Sequence, residues 1–423
     1  MIKFHSKIRQ LLTFTTAFLS LQAMAQANKD SDPFKPFLFH TPTVIKILST
    51  DTIQHPGQKA PVLVQNLIFA SRNGQNQAYA ILAKPLASLK QKRTLPALLC
   101  LHGGGSKAED LRSMVLSYAA NGYVALATDL PGICNSVKAI HSSGPWKDRA
   151  QGEGPRFAIE KGIGNSTLVD GEVAGLEAFN LLKSQAQVDT TRMGITGFSW
   201  GGYSTTFLSG LLGNRVKAAY AVFGCVFYDK GSFWTAIIQK MPPKLRSLWL
   251  TYLDAGRRAK NIRAAYFIES ATNDTYFWPE AVSSTLDQIK STHNHVWIPN
   301  LNHRQGPDGP LMQSLYFGYY LKNQGQPFGK VKITKVRKTK NGGKIITATI
   351  KLPASISADS VCLYYSLQNA DWQHRHWNRL PMQQTTGTEQ YNVALPESIA
   401  SQKINFYARL KDNRKVVVSS QMH

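Results

Sequence analysis

The stretch Ile195-Thr196-Gly197-Phe198-Ser199-Trp200-Gly201-Gly202 decides the fold of this 423-residue chain. It contains the pattern Gly-x-Ser-x-Gly, in which a buried strand turns sharply into a helix and leaves the serine hydroxyl exposed at the tip. Such a turn requires residues without side chains on both sides of the serine, which Gly197 and Gly201 supply. Residues 192–196 accordingly predict a short buried strand, and residues 203–212 predict the helix that follows it.

Short apolar segments alternate with amphipathic ones on both sides of this stretch. Strands are predicted at 97–101, 123–128, 192–196, 217–223, 264–270 and 295–299, and helices at 108–120, 167–184, 203–212, 279–291 and 309–322. Continuous apolar strands separated by helices indicate a parallel sheet covered on both faces. Residues 62–69 and 77–83, with the turn Asn73-Gly74 between them, add an antiparallel hairpin. The fold class is therefore α/β, with a doubly wound, mostly parallel sheet.

The pattern changes again after Gln324-Gly325-Gln326-Pro327. About seven short alternating segments with polar turns follow, which is typical of a small all-β sandwich of immunoglobulin-like or fibronectin-like type. We therefore divide the chain into four parts. They are a signal peptide at 1–25, an extended N-terminal segment at 26–60, an α/β domain at 61–325 and a C-terminal β-sandwich domain at 328–423.

The N-terminus has the pattern of an export signal. Lys3, Lys7 and Arg9 precede an apolar run at 11–21 that is too short to span a bilayer, and Ala23-Met24-Ala25 offers a cleavage site. We predict cleavage after about Ala25 and export to the periplasm or beyond. No later stretch is apolar enough to predict an integral membrane segment in the mature chain.

The chain is strongly basic, with a formal net charge of +24. Such a balance favours anionic partners, but no recognition motif predicts nucleic acid. The C-terminal domain has fifteen Lys and Arg against five Asp and Glu. It is predicted either to brace the α/β domain, which we favour, or to anchor the protein to an anionic glycan surface, with Trp372 and Trp377 as candidate exposed side chains. The four cysteines lack metal-ligand spacing, so no metal site is predicted.

Candidate partners for Ser199 follow two later strands. A serine hydroxyl requires a base to take its proton and a group that holds that base. In a doubly wound sheet these groups lie on loops at the carboxyl ends of strands, in the chain order serine, acid, histidine. Asp274 and His303 occupy such loops. We predict Ser199 as nucleophile, His303 as general base and Asp274 as the acid, with no metal or organic cofactor.

Glycines follow the strand at 97–101, in His102-Gly103-Gly104-Gly105. Consecutive glycines let backbone N–H groups approach a developing negative oxygen. We predict an oxyanion hole made by the N–H of Trp200 together with that of Gly104 or Gly105. His102 is assigned a structural role within its loop.

These motifs together resemble the α/β-hydrolase superfamily, in residues of about 60–325. The carrying segments are His102 to Gly105, Val188 to Tyr203, Thr272-Asn273-Asp274 and Asn302-His303. They look most like acetyl xylan esterases and dienelactone-hydrolase-like esterases, and like the related prolyl-oligopeptidase-like catalytic domains. The resemblance implies ester or amide hydrolysis through an acyl-enzyme, with carbohydrate acetates as a common substrate class. Leu301-Asn302-His303 departs from the His-Gly-His usual near the base, and the segment before His102 is too short for a β-propeller.

Aromatic residues near the predicted site are candidates for contact with substrate. Trp146 lies in a long loop, and Tyr276, Phe277 and Trp278 follow Asp274. Aromatic faces suit sugar rings, although the same residues serve equally well in ordinary packing. The excursion at 224–261 is predicted to cap the site.

The sequence as a whole predicts an exported serine hydrolase that cleaves carboxylic esters, with acetylated or otherwise esterified carbohydrate as the leading substrate class. One alternative is a peptidase or acyl-peptide hydrolase of the prolyl-oligopeptidase type. The other is a non-catalytic carbohydrate-binding protein on the same fold.

Overall fold

A nine-stranded mixed sheet forms the centre of the larger part of the molecule. The computed structural model describes residues 31–423 except 55, 58–59, 91, 151, 225–226 and 369, so the predicted signal peptide lies outside the described residues. The strands are β1 (Val44–Ile53), β2 (Val62–Ser71), β3 (Asn76–Pro85), β4 (Leu95–Leu101), β5 (Val124–Thr128), β6 (Val188–Phe198), β7 (Ala218–Val222), β8 (Ala265–Ala271) and β9 (His293–Ile298).

The sheet order is β1-β2-β3-β5-β4-β6-β7-β8-β9. The six strands β4 to β9 are parallel to one another. The strands β1, β2 and β3 add an antiparallel edge beside β5. Every residue of β5 and β7 is buried, as expected for strands covered on both faces. The predicted α/β class with a mostly parallel sheet is confirmed.

Helices cover both faces of this sheet and form an excursion beside it. They are α1 (Arg112–Ala120), α2 (Gly154–Phe157), α3 (Thr167–Lys183), α4 (Trp200–Leu212), α5 (Thr235–Lys240), α6 (Pro243–Leu253), α7 (Ala255–Arg258), α8 (Pro279–Leu286) and α9 (Gly309–Lys322). The predicted excursion after β7 contains α5, α6 and α7. No helix among the described residues is long and apolar enough to cross a membrane.

Part of the N-terminal segment at 26–60 forms a strand of the large sheet. Its residues 44–53 form β1, which pairs antiparallel with β2 at the edge of the large sheet. Most of β1 is exposed, including Ile45 and Ile47. The sequence did not predict this strand, because an edge strand has only one neighbour and buries few side chains. The mixture of Thr, Lys and Gln in this segment therefore shows no apolar pattern.

The C-terminal residues form two four-stranded antiparallel sheets. Their strands are β10 (Lys330–Lys338), β11 (Lys344–Lys351), β12 (Ala358–Leu367), β13 (Asn378–Pro381), β14 (Gln383–Gln384), β15 (Gln390–Leu395), β16 (Ile404–Asp412) and β17 (Val417–Ser419), with a short helix α10 (Glu397–Ala400). We call β10-β11-β15-β14 the outer sheet and β13-β12-β16-β17 the inner sheet. The expected antiparallel β architecture is confirmed, and the exact domain boundaries stay predictions.

The inner sheet packs against the edge of the large sheet. The backbone N–H of Trp297 in β9 donates to Ser419 Oγ at 3.1 Å, and His295 Nε2 lies 2.9 Å from the carbonyl oxygen of Ser420. Trp372 and Trp377, expected as exposed candidates for glycan contact, are only 8% and 2% exposed. Their rings stack on each other, and the Trp377 ring also packs on Tyr407 of β16, so neither face of the Trp377 ring is open to a ligand. That expectation is wrong.

A buried carboxyl group lies between the two helices that flank the central strands. Glu172 of α3 is fully buried and accepts a hydrogen bond from Ser204 of α4, and its Oε2 has no partner among the described residues. Burial raises the pKa of the Glu172 carboxyl to about 8. The folded protein therefore holds a proton that the unfolded chain releases near a pH of about 4.3.

This difference predicts that stability falls as pH rises between those two pKa values, because there the unfolded state binds fewer protons. Glu172→Gln removes the titration. We expect the melting temperature of the variant minus that of the wild type to increase steadily from pH 5 to pH 8, measured by calorimetry. The exposed Glu160 provides the control Glu160→Gln, whose difference should stay constant. Parallel melting curves for Glu172→Gln and wild type would contradict this account.

Candidate active site

Ser199 occupies the sharp turn between β6 and α4. Its backbone has φ 58° and ψ −119°, a conformation that residues with side chains rarely adopt. A Cβ on Gly197 would lie 2.3 Å from the carbonyl oxygen of Gly201, and one on Gly201 would lie 2.1 Å from that of Leu101. Only hydrogen fits at either place, so the Gly-x-Ser-x-Gly pattern is what allows the serine to stand at this corner.

The structure brings Ser199, His303 and Asp274 into one chain of hydrogen bonds. His303 Nε2 lies 2.8 Å from Ser199 Oγ, and His303 Nδ1 lies 2.9 Å from Asp274 Oδ2. Asp274 is fully buried, and its other oxygen accepts the N–H groups of Tyr276 and Phe277 at 2.7 and 3.1 Å. An imidazole held in this way can take a proton from the serine hydroxyl while the carboxylate stabilises the resulting charge.

Aromatic rings surround the imidazole of His303. The ring centroids of Phe223, Tyr276, Phe198 and Phe277 lie 4.7, 4.9, 5.4 and 5.9 Å from that of His303. Such packing limits the rotation of the imidazole and leaves its side chain only 17% exposed. The orientation of His303 therefore rests on packing as well as on Asp274.

The backbone N–H groups of Trp200 and Gly104 are the candidates to stabilise an oxyanion that develops beside Ser199. Trp200 is the first residue of α4, so its N–H has no acceptor within the helix. Gly104 packs against the Trp200 indole so closely that a Cβ would lie 2.5 Å from its Cδ1. The N–H of Gly105 instead donates to the carbonyl oxygen of Ile133 at 2.9 Å. The structure therefore favours Gly104 over Gly105, which the sequence had left open.

His102 lies beneath this loop and is fully buried. Its Nδ1 lies 2.8 Å from the Gly103 carbonyl oxygen, and its Nε2 accepts the N–H of Leu130 at 2.9 Å. Burial lowers the pKa of the imidazole, in keeping with a neutral ring. These contacts agree with the structural role predicted for His102.

A cavity of about 690 Å³ opens beside Ser199 and His303. Aromatic side chains from several segments line it, together with charged groups of both signs: Trp146, Trp200, Trp234 and Tyr276, and Asp110, Arg149, Glu153 and Arg156. Arg156 Nη1 donates to Glu153 at 2.6 Å, and its guanidinium lies over the Trp200 ring. The cavity therefore combines flat apolar walls with hydrogen-bonding groups.

The predicted aromatic residues divide into two groups. Trp146 and Tyr276 line the cavity, as expected. Phe277 is buried and packs on the His303 ring, so it is not part of the cavity wall. Trp278 faces a separate cavity of about 260 Å³ that it shares with residues 370–375. The expectation that Phe277 and Trp278 wall the site is not met, because the loop after Asp274 turns their rings away.

Two asparagines that the sequence analysis did not assign connect the catalytic loops to the C-terminal domain. Asn273 Nδ2 donates to the carbonyl oxygen of Arg375 at 2.6 Å. Asn300 Nδ2 donates to the carbonyl oxygen of Trp377 at 2.9 Å, and Asn300 Oδ1 accepts the Trp377 N–H at 2.7 Å. Their nearness to Asp274 and His303 in the sequence was the available signal, but their backbone partners carry no sequence pattern.

A third asparagine joins the two catalytic loops directly. Asn302 Oδ1 accepts the backbone N–H groups of Thr275 and His303, at 2.9 and 2.7 Å. Its side-chain amide therefore ties the loop of the acid to the loop of the base. No group of three or more His, Cys, Asp or Glu in the described part of the chain could hold a metal ion.

Asn300 tests whether the C-terminal domain positions the imidazole. Its φ is 56°, so Asn300→Gly keeps the left-handed backbone and removes only the amide. We expect kcat to fall about tenfold with little change in KM, because a small displacement of a catalytic group has a large effect on rate. Asn323, at φ 55° at the end of α9, provides the matched control Asn323→Gly.

The control should leave kcat within about twofold of the wild type, since it lies at a helix end with no catalytic contact. Equal loss of kcat in both variants would show a general effect of backbone freedom. Unchanged kcat in Asn300→Gly would show that its amide does not position His303.

Comparisons with known proteins agree with this fold. A model of the dienelactone hydrolase family matches residues 82–300. The structure of acetyl xylan esterase 1 from Thermoanaerobacterium sp. JW/SL YS485 aligns with a TM-score of 0.55 and 17% identity, over 67% of this chain and 91% of that chain. Acetyl xylan esterase from Paenibacillus sp. R4 aligns with a TM-score of 0.53 and 16% identity, over 68% and 100%. No curated protein sequence matches significantly.

Proposed function

This chain belongs to the dienelactone hydrolase family and is a serine hydrolase of the α/β-hydrolase fold, and from that membership we propose that it hydrolyses acetyl esters of carbohydrates. The hydrogen-bonded series from Ser199 through His303 to Asp274 is the observation that carries the proposal. Nothing in that series requires a metal or an organic cofactor.

The reaction follows from the contacts of the three side chains. Ser199 Oγ attacks the ester carbonyl carbon while His303 Nε2 takes the hydroxyl proton. The N–H groups of Trp200 and Gly104 stabilise the oxyanion that forms. The intermediate collapses, the alcohol leaves with the proton from His303, and an acyl-serine remains. Water activated by the same imidazole then releases the acid and restores Ser199.

The dimensions and lining of the cavity support a carbohydrate as the alcohol. A volume of about 690 Å³ is far larger than an acetyl group needs. The rings of Trp146 and Tyr276 offer faces for a sugar, and Asp110 and Arg149 offer an acceptor and a donor for its hydroxyl groups. Both aligned structures are acetyl xylan esterases, which makes acetylated xylan the first polysaccharide to test.

Removal of the Ser199 hydroxyl tests the reaction. Wild-type protein is expected to release nitrophenol from nitrophenyl acetate, and Ser199→Ala to lose about 10⁴-fold or more in kcat. Ser136 lines the same cavity without contacting the imidazole, so Ser136→Ala should stay within about threefold of wild type. Retained turnover by Ser199→Ala would refute the assignment of the nucleophile.

A substrate panel separates the proposal from its alternatives. We expect release of acetate from acetylated xylan, measured by an enzyme-coupled assay, and much slower cleavage of aminoacyl anilides. Fast cleavage of the anilides with weak esterase activity would favour a peptidase. Binding of xylan without turnover of any acyl substrate would favour a carbohydrate-binding protein.

We also propose that the protein is exported, on the charged and apolar pattern of residues 1–25. Mass spectrometry of the protein from a bacterial expression host is expected to find Gln26 at the N-terminus of the mature chain. Ala25→Arg should block cleavage, because a signal peptidase requires a small residue there. An intact leader on wild-type protein outside the cytoplasm would contradict the cleavage site.

A further inference from the structure

The outer sheet of the C-terminal domain carries an unusual concentration of positive charge. Its four strands contain seven Lys and Arg and no Asp or Glu. Five of the seven lie on β10, which is an edge strand. A few lysines on an edge strand prevent it from pairing with other chains. Here the charge extends beyond the edge, to Lys351 on β11.

The register of β10 against β11 places four basic side chains on one face. Ile346, Ala348 and Ile350 of β11 are buried on one face, so the alternate positions lie on the opposite face, where Thr347 is largely covered and Lys351 is exposed. The residues of β10 opposite those outward positions are Lys330, Lys332, Lys335 and Arg337, and all four are exposed. With Lys351 they form what we call the basic face.

Like charges meet directly across this ladder. Lys330 pairs with Lys351, and at the other end of the strands Lys338 pairs with Lys344. Like charges at opposed positions destabilise a sheet. Within the described residues none of these four side chains forms an ion pair with a carboxylate. A polyanion bound to the basic face would remove the repulsion between Lys330 and Lys351, whereas Lys338 and Lys344 lie on the opposite face of the sheet.

Polar side chains continue the outward side of the outer sheet beyond the basic face. Thr347 and Thr349 of β11 pair with Asn392 and Gln390 of β15, on the same side as the basic face. Thr347 Oγ1 donates to Asn392 Oδ1 at 2.6 Å. Hydroxyl and amide groups beside a row of positive charges suit a ligand that has both hydroxyl groups and carboxylates.

The basic face points away from the catalytic domain. The inner sheet and the loop that precedes β13 contact that domain through Ser419, Ser420, Arg375 and Trp377, and near the outer sheet Gly329, just before β10, accepts a hydrogen bond from Asn294. The outer sheet packs on the inner sheet through β10 and β16. Its other side is therefore free to meet a partner while the active site operates.

We propose that the basic face binds an anionic polysaccharide, with carboxylates of uronic-acid units on Lys330, Lys332, Lys335, Arg337 and Lys351. Alternate residues of a strand are about 7 Å apart, so the face offers a row of charges about 20 Å long. Its outward positions carry no aromatic side chain, which disfavours single-stranded nucleic acid. This inference rests on the proposed function, because a polysaccharide esterase benefits from a second hold on its substrate.

Binding of full-length protein to polygalacturonate tests the proposal. We expect binding that weakens strongly between about 50 and 300 mM salt, because screening removes charge attraction. The triple variant Lys332→Gln, Lys335→Gln, Arg337→Gln should bind at least about tenfold more weakly. A control with Lys183→Gln, Lys260→Gln and Lys290→Gln removes the same charge from exposed sites of the catalytic domain and should bind as wild type.

Each possible result of these binding measurements either supports or contradicts the proposed site. Equal loss of binding in both triple variants would show that net charge alone is responsible, and equal retention would show that the basic face is not the site. Equal binding to dextran, or tighter binding to a single-stranded DNA oligonucleotide, would also overturn the proposal. Turnover of nitrophenyl acetate is measured for every variant and should be unchanged, so failure of the basic face remains distinguishable from failure of the esterase assignment.

Discussion

The close approach of the first turn of α4 to the end of β4 is the contact on which the site depends. Gly201 lies against the carbonyl oxygen of Leu101 with no room for a side chain, and this contact holds Ser199 at a positive φ. A backbone strained in this way costs on the order of 1–3 kcal/mol, which the buried helix and strands around it must offset. β4 continues directly into the glycine loop, where Gly103 approaches the Phe198 carbonyl oxygen. The segments that carry the nucleophile and its oxyanion donors are therefore held together by the same set of backbone contacts.

The other half of the site depends on the C-terminal domain. The loops that carry Asp274 and His303 leave the large sheet at β8 and β9, where neighbouring strands end. Asn273 and Asn300 hold these loops against the backbone near Arg375 and Trp377. The inner sheet thus braces the hydrolase, while the basic face lies on the outer sheet. The sequence left bracing and anchoring as alternatives, and the anchoring that we propose would use a surface other than the one that contacts the catalytic loops.

The parts of the structure that could be predicted from sequence are those set by local pattern. The strand–turn–helix at Ser199 needs glycines at fixed positions, and a parallel sheet places Asp274 and His303 on the same edge. The parts that could not be predicted depend on partners from distant segments. The N–H of Gly105 is occupied because the carbonyl oxygen of Ile133 comes within reach, and Trp377 is buried where its ring packs on Tyr407 of β16. Contacts between distant segments of this kind leave no periodic pattern in the sequence.

The bonds from residues 373–377 to the catalytic loops also have a consequence for biosynthesis. A polypeptide emerges from the ribosome in order, and early domains usually fold first. Here the nucleophile elbow at Ser199 precedes residues 373–377 by more than a hundred residues, and the last strand of the large sheet, β9, also ends well before them. The nascent chain can thus assemble its hydrophobic centre well before its acid and base loops are clamped. Full catalytic activity would then follow only once the second domain has folded, which separates acquisition of the fold from acquisition of full activity.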